Sequence, residues 1–445
     1  MAVRVRKMVQ RTHTLNFMGD TMLGRLIDQL FPQHVDEPEE ARMVKSIQNA
    51  NGKLRDYGPT SPWGDVLPLL HGADLNLLNL ETSVTTHPTK WPNKVFNYRM
   101  HPANISALQA ARIHYAGLAN NHTLDFSEPG LLETVQTVGK AGVAFAGAGE
   151  TIEEATRPAV LHLPAGDGSK SNEIHIWAAA DHPQDWGRVP NFHFIDYTHQ
   201  TRVRLKELLT EATSNTAALK VFSVHWGPNY SWQPAQEIQD LAHFLIDACG
   251  IDIIHGHSSH HVQGVEKYKG KLIIYGCGDF VDDYALTPGY RNDLSGVWRV
   301  TVREAPGDAG EGGLELKRLE IFLTKIDRFM ARKLDRKEAD FDWVREKIRD
   351  LSAELGTVVN LESETWAYKY ADFPLYKAIK ITTNIVLLLA YIPASDSHVY
   401  ATGTGSRVHA NETDSRVHAS RTDSNVHANR AEGAYATSRL ATRDA

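Results

Sequence analysis

The sequence predicts an α/β protein, because short apolar runs typical of buried strands alternate with amphipathic helical patterns. Five of the apolar runs end abruptly in residues that can bind a metal ion. They are 14–18 before Asp20, 75–80 before Glu81, 114–119 before Asn121 and His122, 221–224 before His225, and 251–254 before the histidine-rich segment 255–261. Ligands gather in the crevice beyond the carboxyl ends of such strands. The five ends together therefore predict a multi-ligand metal site.

Helical patterns separate the predicted strands. Between residues 236 and 249 the apolar side chains form one face of a helix, and Gly250 stands where a helix stop is expected. Residues 129–140 show the same pattern before Gly142. Strands that alternate with helices in this way indicate an α/β architecture.

The second half of the chain has a more β-like character. Strands are predicted at 271–275, 296–302 and 314–323. The segment 305–313, rich in glycine and acidic residues, is typical of a surface hairpin loop. Apolar residues at steps of three and four then predict an amphipathic helix over 341–355, with Gly356 as its stop.

Composition limits the classes of function. The chain has 445 residues, 42% of them hydrophobic, and a net charge of −7, which gives no reason to expect a nucleic-acid partner. Its two cysteines support neither a disulfide framework nor a thiolate zinc site. The longest apolar stretch, 385–392, is far shorter than the ~20 residues that cross a bilayer. We expect a soluble, cytoplasmic protein without a secretory signal or a membrane span.

The pattern predicts three regions: an N-terminal extension (1–13), one domain (14–367) and a divergent tail (368–445). Within the tail a nine-residue repeat begins at Ser406, Ser415 and Ser424. The repeat is polar and cannot bury a core, so we expect the tail to be disordered.

The residues at the strand ends are the ligand types of a two-metal hydrolytic site. Two divalent ions about 3.5–4 Å apart neutralise a phosphoester and provide a nucleophilic water at neutral pH. Hard oxygen ligands mixed with imidazole suit manganese, iron or zinc. The predicted metal ligands are Asp20, Glu81, Asn121, His225, His257 and His260.

His122 and Asp125 are the predicted catalytic residues. His122 lies beside Asn121, and Asp125 can fix the tautomer of its ring and raise its basicity. Two other interpretations stay open: Asn121 and His122 could cap a helix that begins near Ser127, and His225 could be an ordinary core histidine.

The segment 94–101 offers four polar side chains that could contact a substrate, namely Lys94, Asn97, Arg99 and His101. Of these, Arg99, Asn97 and His101 are the predicted substrate contacts. A guanidinium can bind a phosphate or a carboxylate through two parallel hydrogen bonds, so Arg99 could hold an anionic substrate. A structural salt bridge at Arg99 is an equally good interpretation.

Several stretches, in the same order along the chain, resemble the CapA family, which is named for bacterial poly-γ-glutamate capsule synthesis. They are FMGDTMLGR (17–25), SPWGDVLPLL (61–70), LNLLNLETSVT (75–85), KVFNYRMHP (94–102), GLANNHTLDF (117–126), VFSVHWGPNY (221–230) and the segment 251–284. The resemblance covers roughly residues 14–360. It places the chain in the calcineurin-like metallophosphoesterase superfamily and implies a four-layer αββα sandwich, with two packed sheets and helices outside.

The resemblance also implies roles for the site residues. Asp20 is similar to the first-strand metal ligand, and Glu81 stands where the superfamily bridges its metals with aspartate. Asn121 matches the metal-binding asparagine, with His122 over the leaving group. His225 matches the isolated histidine of the superfamily. His257 and His260 match its closing Gly-His motif.

Two departures from the superfamily pattern affect the metal site. The usual Asp-x-His is replaced by Asp20-Thr21-Met22, so one imidazole is missing. The histidines of the closing motif are spaced differently from the superfamily pattern, which leaves open which of them bind the metal. The candidates are His255, His257, His260 and His261. Three further acidic residues also match motifs of the family, namely Asp279, Asp282 and Asp283. We assign them to the architecture or to the rim of the pocket rather than to the chemistry.

These features predict a metal-dependent hydrolase that uses a metal-activated water on a phosphoester or a related anionic substrate. The alternative is a non-hydrolytic accessory protein in the synthesis or export of poly-γ-glutamate or a similar polymer. The expected partner is accordingly an anionic small molecule or such a polymer. The expected cofactors are two divalent ions.

Overall fold

The computed structural model describes residues 11–165, 171–211, 216–305 and 313–359. Its strands are Thr12–Thr21 (β1), Leu75–Leu80 (β2), Ser83–Val84 (β3), Arg99–Met100 (β4), Tyr115–Gly117 (β5), Ala144–Ala146 (β6), Ala159–Leu163 (β7), Asn172–Ala180 (β8), Leu219–His225 (β9), Ile253–His257 (β10), Val265–Tyr268 (β11), Lys271–Ile274 (β12), Asp279–Val281 (β13), Leu294–Glu304 (β14), Leu314–Asp327 (β15) and Met330–Lys333 (β16). Its α-helices are Arg25–Leu30 (α1), Pro38–Ala50 (α2), Leu67–His71 (α3), Ser106–Ala110 (α4), Ser127–Lys140 (α5), Ile152–Thr156 (α6), His199–Thr210 (α7), Gln236–Cys249 (α8) and Ala339–Glu354 (α9).

Two large sheets organise these strands. The first has the order β16-β15-β14-β1-β2-β5-β6, with β13 also paired to β1. The second has the order β11-β12-β10-β9-β8-β7. The strands that lead to the site are parallel to one another within each sheet: β1, β2 and β5 in the first sheet, and β9 and β10 in the second.

Alternation of side chains along the second sheet shows how the layers pack. Val221 and Ile253 lie in the same buried cluster as Leu77 of the first sheet. The next residues along these strands, Phe222 and Ile254, belong to a separate buried cluster that includes side chains of helices α7 and α8. Successive side chains of a strand point to opposite faces, so one face of this sheet meets the other sheet and the opposite face meets helices. The predicted four-layer αββα sandwich is confirmed.

The predicted elements agree with the structure where it is described. All five apolar runs are strands, and the predicted helices correspond to α5, α8 and α9. Gly250 and Gly356 follow their helices with φ of 73° and 72°, a left-handed conformation that glycine adopts without steric cost. Strands β12, β14 and β15 correspond to the three predicted later strands. Among the described residues, no helix is both long and apolar enough to cross a bilayer.

Three predictions concern residues that the structure describes only in part or not at all. The tail at 368–445, for which disorder is predicted from the sequence, lies outside the described residues. So do most of the N-terminal extension at 1–13 and most of the hairpin loop at 305–313.

A close approach between β1 and β13 positions the site. The two strands are parallel, and the Cα of Asp20 is paired with that of Asp279. A Cβ atom on Gly19 would lie 1.9 Å from the carbonyl oxygen of Gly278. Only a residue without a side chain allows this contact, so Gly19 lets Asp20 come next to Asp279.

We predict that Gly19→Ala lowers the free energy of unfolding by about 1–3 kcal/mol, the usual cost of overpacking a core. The added methyl group would clash with the backbone of Gly278, which cannot move without separating β1 from β13. Urea unfolding measures the effect. Gly52→Ala is the matched control, because nothing lies within 4 Å of its Cβ position. Equal stability of the two variants would contradict this account of the close approach.

Candidate metal centre

Asp20, His225 and His257 form a first group of candidate metal ligands. The two histidines end the neighbouring parallel strands β9 and β10, where they are in register. His225 Nδ1 lies 2.9 Å from His257 Nδ1, and each of these atoms lies 3.7 Å from Asp20 Oδ1. All three side chains are buried. The two sheets therefore bring together ligands from both sides of the sandwich.

Asp20, Glu81, His260 and Asp279 form a second group. His260 Nδ1 lies 2.9 Å from Asp279 Oδ1 and 3.7 Å from Asp20 Oδ2. His260 Nε2 lies 3.9 Å from Glu81 Oε1. Asp20 belongs to both groups. Glu81, where the resemblance places the bridging carboxylate, belongs to the second group, and its Oε1 also lies 4.0 Å from His225 Nε2 of the first.

The electrostatics of these groups fit a divalent cation. Glu81 Oε1 and His225 Nε2 are buried without a hydrogen-bond partner among the described residues, and they lie 4.0 Å apart. Burial raises the pKa of Glu81 well above its usual range, and the charge of Asp20 raises it further. Burial also raises the pKa of Asp20, although His260 opposes the shift, and burial lowers the pKa of His225 well below its usual value. A cation would favour the ionised carboxylates and take the lone pairs of the neutral imidazoles.

Surrounding groups fix Asp20 in place. Asn79 donates a side-chain hydrogen bond to Asp20 Oδ1 at 2.7 Å, and the backbone N–H of Ser258 donates to Oδ2 at 3.0 Å. Asn120 in turn donates to Asn79 Oδ1 at 3.1 Å. Such partners orient metal ligands. This role of Asn79 was not predicted from the sequence, although an amide near the end of a largely apolar strand was a usable signal.

The end of β10 and the loop after it place the four clustered histidines in different surroundings. Ser258 and His260 have positive φ angles of 96° and 61°, which are strained for residues other than glycine. His257 and His260 lie in the ligand groups. His255 instead places Nε2 2.9 Å from the carbonyl oxygen of Met18, and the ring of His261 stacks on Tyr290.

The side-chain oxygen of Asn121, Oδ1, is buried and accepts no hydrogen bond from the described residues. Its role as a metal ligand stays a prediction. The alternative interpretation as a helix cap is wrong, because α5 begins at Ser127 after Phe126, and no side chain caps it.

His122 and Asp125 are in contact, as their spacing predicts. His122 Nδ1 lies 2.6 Å from Asp125 Oδ2, and the ring stacks on Tyr98 at 4.0 Å between centroids. Lys94 joins them: its Nζ lies 2.6 Å from Asp125 Oδ1 and 3.2 Å from His122 Nδ1. Burial lowers the pKa of His122 to about 4; Asp125 opposes the shift and Lys94 adds to it. The sequence analysis did not place Lys94 in this pair.

The three predicted substrate contacts already have partners inside the protein. Arg99 Nη2 lies 2.7 Å from Glu37 Oε1, and its Nη1 donates to the carbonyl of His87. Asn97 donates to the carbonyl of Lys94. His101 Nδ1 accepts from the backbone N–H at 103. The salt bridge considered for Arg99 is therefore present, and a role of these residues in substrate binding stays a prediction.

Comparisons with known proteins agree with the position of the motifs. Residues 14–284 match the family model described as "Bacterial capsule synthesis protein PGA_cap". A probable polyglutamine synthesis accessory protein of Mycobacterium tuberculosis is 34% identical in an alignment 363 residues long that covers 76% of this chain and 90% of that protein. The capsule biosynthesis protein CapA of Bacillus anthracis is 27% identical in an alignment 293 residues long that covers 62% of this chain and 61% of that protein. A solved calcineurin-like phosphoesterase of Bacillus subtilis aligns with 78% of this chain and 100% of that one, at 10% identity and a TM-score of 0.37.

We predict that Mn²⁺ or Zn²⁺ raises the Tm of this protein and that His225→Ala removes most of the increase. Binding to the folded state alone adds about 2.7 kcal/mol at a free metal concentration about 100 times the Kd. At an unfolding entropy of about 2.1 cal/mol/K per residue, that is an increase of roughly 4 °C for a domain of this size, measurable by thermal unfolding after chelation and metal addition.

The matched control for this experiment is His243→Ala. His243 pairs with Glu266 and stacks on Tyr268, and it belongs to neither ligand group. An equal metal-induced increase in both variants would exclude His225 as a ligand.

Proposed function

The chain belongs to the bacterial capsule synthesis protein PGA_cap family, as its resemblance to CapA proteins predicts, and we propose that it is a metal-dependent hydrolase. Its substrate would be a phosphoester or a related anionic compound. The observation that carries this proposal is the buried His122–Asp125 pair beside ligand groups that share Asp20. A site that only stored a metal ion would have no use for such a pair.

Contacts among aromatic rings support the proximity of this pair to the ligands. Tyr98, which stacks on His122, lies 5.7 Å from the ring of Tyr284. The hydroxyl of Tyr284 donates to Glu81 Oε2 at 3.2 Å. A substrate held near Glu81 is therefore within the same small region as the imidazole of His122.

In this proposal the metal ions are held by the ligands predicted from the sequence. Divalent ions such as manganese, iron or zinc would neutralise an anionic substrate and supply a nucleophilic water at neutral pH. Asp20 stays fixed by Asn79 and Ser258, so its two oxygens face the two groups without rearrangement.

His122 would move a proton at Nε2. Asp125 accepts from Nδ1 and so determines the orientation of the ring. Nε2 then faces away from Asp125 with its lone pair free, and after taking a proton from solvent water it can pass that proton to the leaving oxygen of the substrate. His122 is the proposed catalytic residue, and Asp125 positions it.

Lys94 is the strongest candidate for an anion contact. Its ammonium group sits beside both His122 and Asp125. By contrast, Arg99 is committed to Glu37 and to a carbonyl oxygen. We propose that Lys94 attracts the anionic substrate, while Arg99, Asn97 and His101 would contact it only if their present hydrogen bonds were exchanged.

The second candidate is a non-hydrolytic role in the synthesis or export of poly-γ-glutamate or a similar anionic polymer. The name of the mycobacterial relative favours it, because that protein is described as an accessory protein of polyglutamine synthesis. The replacement of the usual imidazole by Met22 also favours weakened catalysis. Lys94 would then attract carboxylates of the polymer rather than a phosphate.

We predict that His122→Ala lowers kcat by about 10²–10⁴-fold, the usual contribution of a positioned acid or base. Metal content should not change, because His122 is in neither ligand group. The measurement is hydrolysis of p-nitrophenyl phosphate and bis-p-nitrophenyl phosphate with added Mn²⁺, with metal content determined in the same samples. His243→Ala again serves as the control.

One outcome would contradict the hydrolase and another the role of His122. Wild-type protein that binds metal but cleaves neither ester, and that binds poly-γ-glutamate, would support the accessory role. Turnover that is unchanged in His122→Ala would remove His122 from the mechanism.

A further inference from the structure

The two ligand groups differ in the chemistry of their donor atoms. The first contains one carboxylate and two imidazoles: Asp20, His225 and His257. The second contains three carboxylates and one imidazole: Asp20, Glu81, His260 and Asp279. Imidazole suits zinc and iron, whereas carboxylate oxygens suit manganese and magnesium. The two positions are therefore unequal.

Asp279 reaches the second group by strand pairing. Its Cα is the partner of the Cα of Asp20 across the parallel strands β1 and β13. Paired residues of neighbouring strands place their side chains on the same face of a sheet. The carboxylates of Asp20 and Asp279 therefore share one face of the first sheet.

Met22 cannot supply a ligand from β1. Its sulfur accepts the backbone N–H of Gly24 at 3.1 Å, and its side chain is fully buried against Tyr98 and Tyr284. A thioether is also a soft ligand that does not suit manganese or magnesium. The first strand thus contributes Asp20 alone, and the neighbouring strand contributes a carboxylate beside it.

We propose that Asp279 is a direct ligand of an oxygen-rich second cation position, formed with Asp20, Glu81 and His260. This position selects Mn²⁺, while the nitrogen-rich position with His225 retains Zn²⁺. The proposal rests on the metal binding of the proposed function and does not depend on hydrolysis.

An independent observation points to a cation at this position. Glu81 Oε1 is fully buried, has no hydrogen-bond partner among the described residues, and lies 3.9 Å from His260 Nε2. One imidazole cannot balance three buried carboxylates, and an uncompensated buried charge is costly. A divalent cation in contact with Asp20, Glu81 and Asp279 removes this imbalance.

The competing interpretation is that Asp279 only orients His260. His260 Nδ1 lies 2.9 Å from Asp279 Oδ1, a distance at which a ring N–H donates to a carboxylate. Carboxylates behind metal-binding histidines are common. The two interpretations differ in whether an oxygen of Asp279 touches the ion.

A crystal structure of wild-type protein decides between them. The protein is loaded with one equivalent of Zn²⁺ and then with Mn²⁺, and anomalous scattering is recorded at both metal edges. We expect manganese in the oxygen-rich position with an oxygen of Asp279 about 2.2 Å away, a usual metal–carboxylate distance. An Asp279 that contacts only His260, or manganese and zinc mixed equally over both positions, would overturn the proposal.

Binding measurements on Asp279→Asn provide the second test. Calorimetric titration of the zinc-loaded protein with Mn²⁺ should show affinity reduced by at least roughly 10-fold, the loss that even an outer partner of a metal ligand produces. Zinc binding should be retained. Asp282→Asn is the control, because Asp282 is equally buried, belongs to neither group, and accepts from the backbone N–H of Tyr284, which an asparagine can also do.

Unchanged Mn²⁺ affinity in Asp279→Asn would overturn the role of Asp279. These readouts need no turnover, so a protein that cleaves no ester but binds the two metals as described would refute the hydrolase and leave this inference standing. A protein that hydrolyses esters with a single metal ion would support the hydrolase and refute the second cation position.

Discussion

Burial of like charges at the edges of two sheets is the constraint on which the site depends. Asp20, Glu81 and Asp279 lie together in the interior, where carboxylates without a compensating charge are strongly disfavoured. The protein meets this cost with hydrogen bonds to Asp20 and with buried histidines. Those partners neutralise the cluster only in part, which makes a divalent cation the natural remaining component.

The sandwich explains why the ligands can meet at all. Parallel strands place their carboxyl ends at the same edge of a sheet, and both sheets bring such an edge to the same region. Asp20 and Glu81 come from the first sheet, and His225 and His257 come from the second. The hydrophobic layer between the sheets, to which Leu77 and Val221 belong, thus holds the distances between ligands as well as the fold.

The site combines two chemical functions that family membership alone does not separate. Metal ligands would attract and neutralise an anion, which either a hydrolase or a polymer-binding accessory protein could use. The ordered pair of His122 and Asp125 would serve the proton transfer of the proposed hydrolase. Lys94 serves both interpretations, because an ammonium beside the pair attracts phosphate and carboxylate alike. Proton movement at His122 is therefore what distinguishes the two proposed functions.

The sequence by itself determined the α/β class, the strands that carry the site and the pairing of His122 with Asp125, because apolar periodicity and close spacing are local properties. Only the tertiary structure decided that Asp279 lies beside Asp20, because that depends on β13 pairing with β1 from a distant part of the chain. It also separated His257 and His260 from the other clustered histidines and engaged Arg99 with Glu37. Contacts between residues far apart in sequence leave no local pattern in the sequence. They are determined by strand register and side-chain packing, which only the tertiary structure shows.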